Sequence, residues 1–438
     1  MNAKEKKGWI VVLVLMLAYV FSFIDRNIVY LLVEPMKRDM GLSDTEASLL
    51  IGASFALFYS ILGIPLGRLA DVHSRKKIIA IGISLWSLMT AVCGLAKNYT
   101  LLFLARMGVG VGEAALSPAA YSIISDYFPK SKLATAISVY SLGIYIGSGL
   151  AYAGGGYLIG ILETMDNITL WEGFEIYAWQ LIFVIVGLPG LLVALLVLRL
   201  EEPPRTGNNS EKSVPLKEVW AYLKAEGQTF FLLCAGFAFF YVAVYATSAW
   251  IPTYLMRIYD LDLQFVGLVT GVGMVTFPAI GVIISGRIAD KWTAQGVPNA
   301  KIRWSLWATL LFIPATAIYP LMPTAISTLY ALIPYAVLVS ATVGVAAAAI
   351  QEIMPNRMRG VASALLILSQ NLLGLTLGPT GVALLNDYVF QDEMALGWSL
   401  IIIAVTALSI AALFFFWALK RNPNPQALSL EDVLDSSI

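Results

Sequence analysis

The sequence predicts an all-α polytopic membrane protein of twelve transmembrane helices arranged as two six-helix halves. Three observations carry that prediction. The 438 residues are 59% hydrophobic and only 13% charged, an apolar excess that a soluble core does not need. Twelve apolar stretches are each long enough to cross about 30 Å of hydrocarbon. The longest polar stretch, 201–228, falls between the sixth and seventh of them and opens with Glu-Glu-Pro-Pro-Arg-Thr-Gly-Asn-Asn-Ser, a linker composition.

The spans are expected at 9–32, 46–66, 78–96, 99–127, 133–160, 178–199, 228–257, 264–288, 303–322, 325–353, 359–387 and 394–419. The first follows Lys4, Lys6 and Lys7 and runs from Trp9 to about Leu32. That is longer than the core of a signal peptide and lacks a small-residue cleavage site, so it is expected to stay as a helix. The chain is accordingly divided into an N-terminal half (1–200), a cytoplasmic linker (201–227), a C-terminal half (228–420) and a tail (421–438). Within the linker, Leu216, Val219, Trp220 and Leu223 recur at helical spacing opposite Lys217, Glu218 and Lys224. This pattern predicts an amphipathic helix lying on the membrane surface.

The formal net charge is zero, but its distribution is uneven. The N-terminus, every second connection and the C-terminus hold nearly all basic residues, among them Arg75, Lys76, Lys77, Lys130, Lys132, Lys291, Arg303, Arg357, Arg359, Lys420 and Arg421. The opposite connections hold only Lys37, Arg38, Lys97 and Arg257, with the acids Glu163, Asp166, Glu172 and Glu175. Both termini are therefore expected to be cytoplasmic, in a bacterial inner membrane. Cys93 and Cys234 lie far apart in apolar stretches, so neither a disulfide framework nor a metal site is indicated. No cofactor, no nucleic-acid partner and no enzymatic activity are expected. Protons, membrane lipids and a small substrate are the expected partners of a monomer.

An internal repeat supports the six-plus-six division. Gly67-Arg-Leu-Ala-Asp71, after the second span, recurs as Gly286-Arg-Ile-Ala-Asp290 after the eighth. Asp126-Tyr-Phe-Pro129-Lys-Ser-Lys132, after the fourth, has an echo in Glu352-Ile-Met-Pro355-Asn-Arg357-Met-Arg359. Twelve spans, a central linker, cytoplasmic ends and this repeat resemble the major facilitator superfamily, whose halves rock around a midplane site. Gly67-Arg-Leu-Ala-Asp71-Val-His-Ser-Arg75-Lys76-Lys77 is similar to that superfamily's signature loop. Here glycine is expected to allow a tight turn, and Asp71 to sit at a helix N-terminus of the opposite half, where the dipole favours a carboxylate; the resemblance implies that this is the eleventh helix, near Val361. Arg75 is expected to meet Asp126 as a latch that forms when the inside closes. Gly67, Asp71, Arg75, Asp126, Gly286 and Asp290 are thus the gating candidates, against the alternative that these charges only set topology. His73, the only histidine, lies in this loop, so a proton carrier inside the membrane has to be a carboxylate.

Four charges stand inside the spans: Asp25 and Arg26 in the first, Arg106 and Glu113 in the fourth. Facing lipid they would cost roughly 12 kcal/mol together, so they must satisfy one another or be hydrated. Depth counting puts Asp25 and Arg106 each about seven residues, or ~10 Å, below the outer surface, and Glu113 ~10 Å deeper. A pair between Asp25 and Arg106 is expected, with Arg26 reaching Glu113 or a ligand anion. Gly108, Gly110 and Gly112 surround the Arg106–Glu113 stripe and admit a close neighbour. Glu113 stands among Gly112, Ala114 and Ala115, an apolar setting that favours the neutral carboxyl, so Glu113 with Asp25 is the proton-coupling candidate. The alternative is a static ion network stapling the N-terminal half. The C-terminal half carries no charge of comparable depth. It offers Tyr241, Tyr245 and Trp250 on an aromatic seventh helix, and Gln370 with Asn371 on the eleventh. With Arg26, Arg106 and Glu113 these complete the substrate-binding candidates, although such an aromatic face is more often packing than ligand.

Phe23-Ile-Asp25-Arg26-Asn27, with Ala105-Arg106-Met-Gly-Val-Gly-Val-Gly-Glu113-Ala-Ala-Leu-Ser-Pro118 and its continuation to Pro129, is similar to the Spinster branch of the superfamily over residues 20–150. That resemblance implies alternating-access transport of an amphipathic, lipid-like substrate such as a lysophospholipid or sphingosine-1-phosphate, coupled to protons. It places Asp25, Arg26, Arg106 and Glu113 at functional positions. The related anion:cation symporters share the Asp-Arg pair and a Gly-Glu-Ala segment followed by Pro-Ala, which keeps small organic anions such as carboxylates as the alternative substrate, imported or exported. A receptor or sensor built on a transporter fold is the alternative of another class. The repeated gate loop speaks against a channel.

Overall fold

A computed structural model describes residues 3–162, 168–171, 174–204, 216–355 and 358–421. Among them, twelve spans from Glu5–Leu31 to Glu393–Arg421 are long and apolar enough to cross a membrane. They fall on the twelve expected from the sequence. The chain forms two compact units, Met1–Asn208 with Ala249–Val275, and Asn209–Ser248 with Thr276–Ile438.

The first unit begins with α1 (Ala3–Leu31), α2 (Val33–Met40) and α3 (Asp44–Ser48), whose cap Ser43 and Glu46 form a reciprocal capping box. A π-helical turn over Leu49–Ala53 leads into α4 (Ser54–Val72), followed by α5 (Arg75–Cys93). The fourth span is not one helix but two, α6 (Tyr99–Glu113) and α7 (Leu116–Tyr127). The break has a local cause: Pro118 has no N–H to give to the carbonyl of Ala114, so the ladder stops directly after Glu113. Then come α8 (Lys130–Leu162), the two-stranded hairpin β1 (Ile168–Trp171) and β2 (Phe174–Ile176), and α9 (Ala178–Gly187) with α10 (Gly190–Arg199). The hairpin is the described departure from an all-helical chain.

The linker holds α11 (Leu216–Glu226), with Val219 and Leu223 buried and Trp220 49% exposed. Beyond it lie α12 (Gln228–Tyr259), α13 (Leu263–Ala294), α14 (Ala300–Ile318), α15 (Ala325–Leu338), α16 (Val343–Ile353), α17 (Arg359–Leu384) and α18 (Leu396–Arg421). Both α12 and α13 change unit along their length, near Pro252 and Pro278 respectively. Compactness and sequence order therefore differ over residues 249–275. Within the first unit Arg257 donates to Glu34 Oε1 at 2.5 Å and to Asp44 Oδ2 at 2.9 Å, and a Cβ on Gly267 would stand 2.5 Å from the Tyr152 carbonyl of α8. Asp44 also accepts from Lys37 Nζ at 2.5 Å.

One expectation about the repeat is corrected. Gly67 lies inside α4 and Gly286 inside α13, so neither forms a tight turn; the first motif is the last turn of α4, and α13 runs on past the second to Ala294. A methyl group on Gly286 would meet nothing within 4 Å.

Candidate functional site

The site is built on the first unit, from α1, α4 and α6, the first piece of the fourth span. Close approach comes first. A Cβ on Gly110 would stand 2.5 Å from the Phe55 carbonyl, and one on Gly112 would stand 2.6 Å from the Trp86 nitrogen and 2.7 Å from the Gly82 carbonyl. Only glycine lets α6 sink between α4 and α5 to that depth. This sets Arg106 and Glu113 against α1 and α4 rather than against lipid.

Glu113 is 2% exposed. Its Oε2 accepts from Arg26 Nη2 at 2.6 Å and from Ser22 Oγ at 2.7 Å, so the expected reach from the first span to Glu113 is made. Ser22 and Arg26, four residues apart on α1, share one face and grip the same oxygen. Arg106 is fully buried. Its Nη1 donates to the main-chain carbonyl of Asp25 at 3.3 Å and its Nε to that of Leu50 at 3.5 Å. The expected Asp25–Arg106 pair thus takes a different form: the two residues come together, but the hydrogen bond ends on the backbone. Asp25 feels the charges of both Arg106 and Glu113, and Thr90 lies beside its carboxyl.

Four polar atoms in this constellation, Asp25 Oδ1, Arg26 Nε, Arg106 Nη2 and Glu113 Oε1, are buried and make no hydrogen bond with the described residues. A buried orphan of this kind costs about 1 to 3 kcal/mol, and four in one cluster mark a site organised for something besides folding. The four charges sum to zero, and each side chain keeps a buried polar atom with hydrogen-bonding capacity to spare.

The gating candidates fall into three groups. Arg75, 1% exposed, pairs with Asp126 as expected. It also donates to Ser122 Oγ at 3.0 Å, the Pro203 carbonyl at 2.9 Å and Glu202 Oε1 at 3.2 Å, all inside the first unit. Glu202 was missed from sequence because it lies in a linker-like Glu-Glu-Pro-Pro run. Burial alone would push its carboxyl up; hydrogen bonds from Ser74 and from the Arg75 N–H and guanidinium outweigh that and hold it below its ordinary value. Asp290 is exposed on α13. The Asp71 side chain and Arg357 lie outside the described residues.

In the second unit, Tyr245 Oη donates to Asn371 Oδ1 at 3.1 Å, joining the seventh and eleventh spans, and Tyr241 stands 5.8 Å from Tyr245 ring to ring. Gln370 is 8% exposed nearby in sequence. Trp250 is fully buried and belongs to the first unit. Phe237 and Phe240 pack on Phe415 and Phe312, which assigns that part of the aromatic face to packing.

Sequence reasoning also missed Glu34 and Asp44 as partners of Arg257, and Lys37 as a second partner of Asp44. The signal available was an arginine on the side of the membrane where basic residues are scarce.

Comparisons with known proteins agree with this architecture. Residues 15–379 match the model of the Major Facilitator Superfamily. An "MFS-type efflux pump" of Mycolicibacterium smegmatis is 29% identical over 422 residues, 94% of this chain and 92% of that protein. A "Probable L-galactonate transporter" of Escherichia coli is 26% identical over 66% of this chain and 63% of its own length. The crystal structure of a bacterial homolog to the human lysosomal transporter Spinster, inward-facing and unoccupied, superposes with a TM-score of 0.79 at 28% identity, covering 96% of this chain and 98% of that one. The chain belongs to the Major Facilitator Superfamily, a family of membrane transporters rather than enzymes, and within it is Spinster-like.

Proposed function

We propose that this protein is a proton-coupled secondary transporter of a single-chain amphipathic substrate with an anionic headgroup, of the lysophospholipid or sphingosine-1-phosphate kind. The observation that carries the reading is the Glu113–Arg26 pair at 2.6 Å, buried, with Ser22 on the same oxygen and with Glu113 Oε1 and Arg26 Nε unused. A carboxylate that takes up a proton gives up its hold on the guanidinium. The freed donors of Arg26 then serve the anionic headgroup of the substrate, and loss of the proton restores the pair. Asp25 and Arg106, held next to it, supply the second carboxyl and a second cation. Tyr241, Tyr245, Gln370 and Asn371 are the substrate-binding candidates of the second unit. The moving bodies are the halves 1–200 and 228–420, with both termini on the cytoplasmic side of a bacterial inner membrane, and Gly67, Asp71, Arg75, Asp126, Gly286 and Asp290 belong to the gates on that side. The efflux-pump relative makes export the direction to test first.

A second reading, transport of small carboxylates, is favoured by the galactonate-transporter relative and by the spare Nη2 of Arg106, which suits a compact anion. The deciding experiment reconstitutes the purified protein in liposomes and follows a labelled lysophospholipid and a labelled sugar acid, with and without a pH gradient. The lipid moves with the gradient if the first reading is right; movement of the sugar acid alone replaces it with the second.

A further inference from the structure

Arg26 has a setting that its ion pair does not account for. The guanidinium carbon stands 4.5 Å from the Phe55 ring centre, 4.8 Å from Phe23 and 4.8 Å from Tyr59. Three ring faces around one cation form an aromatic box, the arrangement by which proteins hold a desolvated cation without an anion. Helix spacing builds it: Phe23 and Arg26 are three apart on α1, Phe55 and Tyr59 four apart on α4.

The box is braced on every side. Phe55 and Tyr59 stack at 5.2 Å with 20° between their planes. Phe23 meets Tyr19 edge-on at 5.1 Å, and Tyr19 stacks on Tyr140 at 4.6 Å and 3°. The Phe55 backbone is the one that Gly110 admits. Against this rigid seat, Arg26 spends one nitrogen on Glu113; its Nε is buried without a partner, and the side chain is 9% exposed.

We propose that Phe23, Phe55 and Tyr59 are positioning residues that hold Arg26 in place as the headgroup-anion site, so that its charge stays put when Glu113 lets go. The inference rests on the reading of Arg26 as that site. The rings replace the lost carboxylate as the electrostatic partner, because their negative faces stabilise a cation whether or not an anion is bound. The headgroup therefore meets an arginine that is already oriented, and binding is spared the ordering of a long side chain.

The test uses the full-length protein in nanodiscs and two probes that differ in one group, lysophosphatidic acid and the neutral monoacylglycerol of the same chain. Arg26→Gln, Phe55→Leu, Tyr59→Leu, Phe55→Tyr and Tyr59→Phe are compared for binding, and for KM against kcat in liposomes. The two leucine variants are expected to weaken the phosphate probe about 5- to 10-fold, in KM with kcat little changed, and to leave the neutral probe alone. Phe55→Tyr and Tyr59→Phe keep a ring and should bind as the parent does. If Arg26→Gln costs phosphate affinity and the leucine variants do not, the seat is wrong while the headgroup site stands. If the leucine variants lose both probes equally, the rings are ordinary packing and the inference falls. If Arg26→Gln changes nothing, the reading of Arg26 itself fails. Should Phe55→Leu not fold, Tyr59→Leu on the more exposed ring carries the same comparison.

Discussion

The fourth and tenth spans are counterparts in the repeat, and they share a scaffold while differing in chemistry. Both are interrupted, after Glu113 in one and between Leu338 and Val343 in the other. Both end on an acid that pairs with a base at the start of the preceding span, Asp126 with Arg75 and Glu352 with Lys301. With Asp126 placed on Glu352, however, Arg106 falls on Leu332 and Glu113 on Val339. The repeat has kept the break and the terminal ion pair and has put the buried charges on one copy. Scaffold and site are thus separable here, and substitutions placed at matching positions should show it.

The largest contrast is at the charges. In the proposed mechanism, Glu113→Gln abolishes proton-driven accumulation in liposomes, whereas Val339→Ala at the matching position leaves the response to a pH gradient intact. Accumulation that survives in the glutamine variant with full sensitivity to the gradient would remove Glu113 from the proton path. Next are the terminal pairs. Arg75 is 1% exposed and serves several acceptors, while the Lys301 and Glu352 side chains are 15% and 41% exposed. Arg75→Ala should destabilise by about 3 kcal/mol and Lys301→Ala by less than about 1 kcal/mol, measured as loss of melting temperature in detergent.

The glycines differ in the same sense. Gly112→Ala drives a methyl group onto the Trp86 and Gly82 backbones and should cost about 2 kcal/mol. Gly286→Ala, with open space around it, should be neutral or stabilise by up to about 1 kcal/mol through helix propensity. Equal effects from the two would mean that α6 and α5 can part more easily than their packing implies.

Two smaller effects complete the series. The Glu202 carboxyl is held below its ordinary value of 4.5, so its contribution is fully present above that pH and is lost as pH falls through the lowered value. Melting temperature should fall on that acid limb, and Glu202→Gln should flatten it. In the second unit, Tyr245→Phe removes one hydrogen bond to Asn371 and should cost about 1 kcal/mol or less, with its effect on substrate KM showing whether that pair also touches the ligand.

Much of the scaffold was legible in the residues themselves. Span number, the linker, α11 and the repeat follow from hydropathy and composition, because lipid enforces them locally: each turn of helix must satisfy its own backbone and expose apolar side chains. The reach of Arg26 to Glu113 was legible too, since two buried opposite charges at reachable depth have to find one another. The acceptor chosen by Arg106 was not. A backbone carbonyl carries no sequence mark, and whether Asp25 offers its carboxyl or its main chain depends on how far α6 sinks toward α1.

The sequence by itself determined that this chain spans a membrane twelve times in a repeated pattern and carries four compensating charges inside its first half. The tertiary structure alone decided what surrounds those charges: the seat of Phe23, Phe55 and Tyr59 around Arg26, the backbone anchoring of Arg106, and the hold of Glu34 and Asp44 on Arg257. The physical reason is range. Periodicity and burial cost act within one helix and can be read along the chain, whereas Arg26 of α1 meets the Phe55 and Tyr59 rings of α4 only where two helices distant in sequence come together.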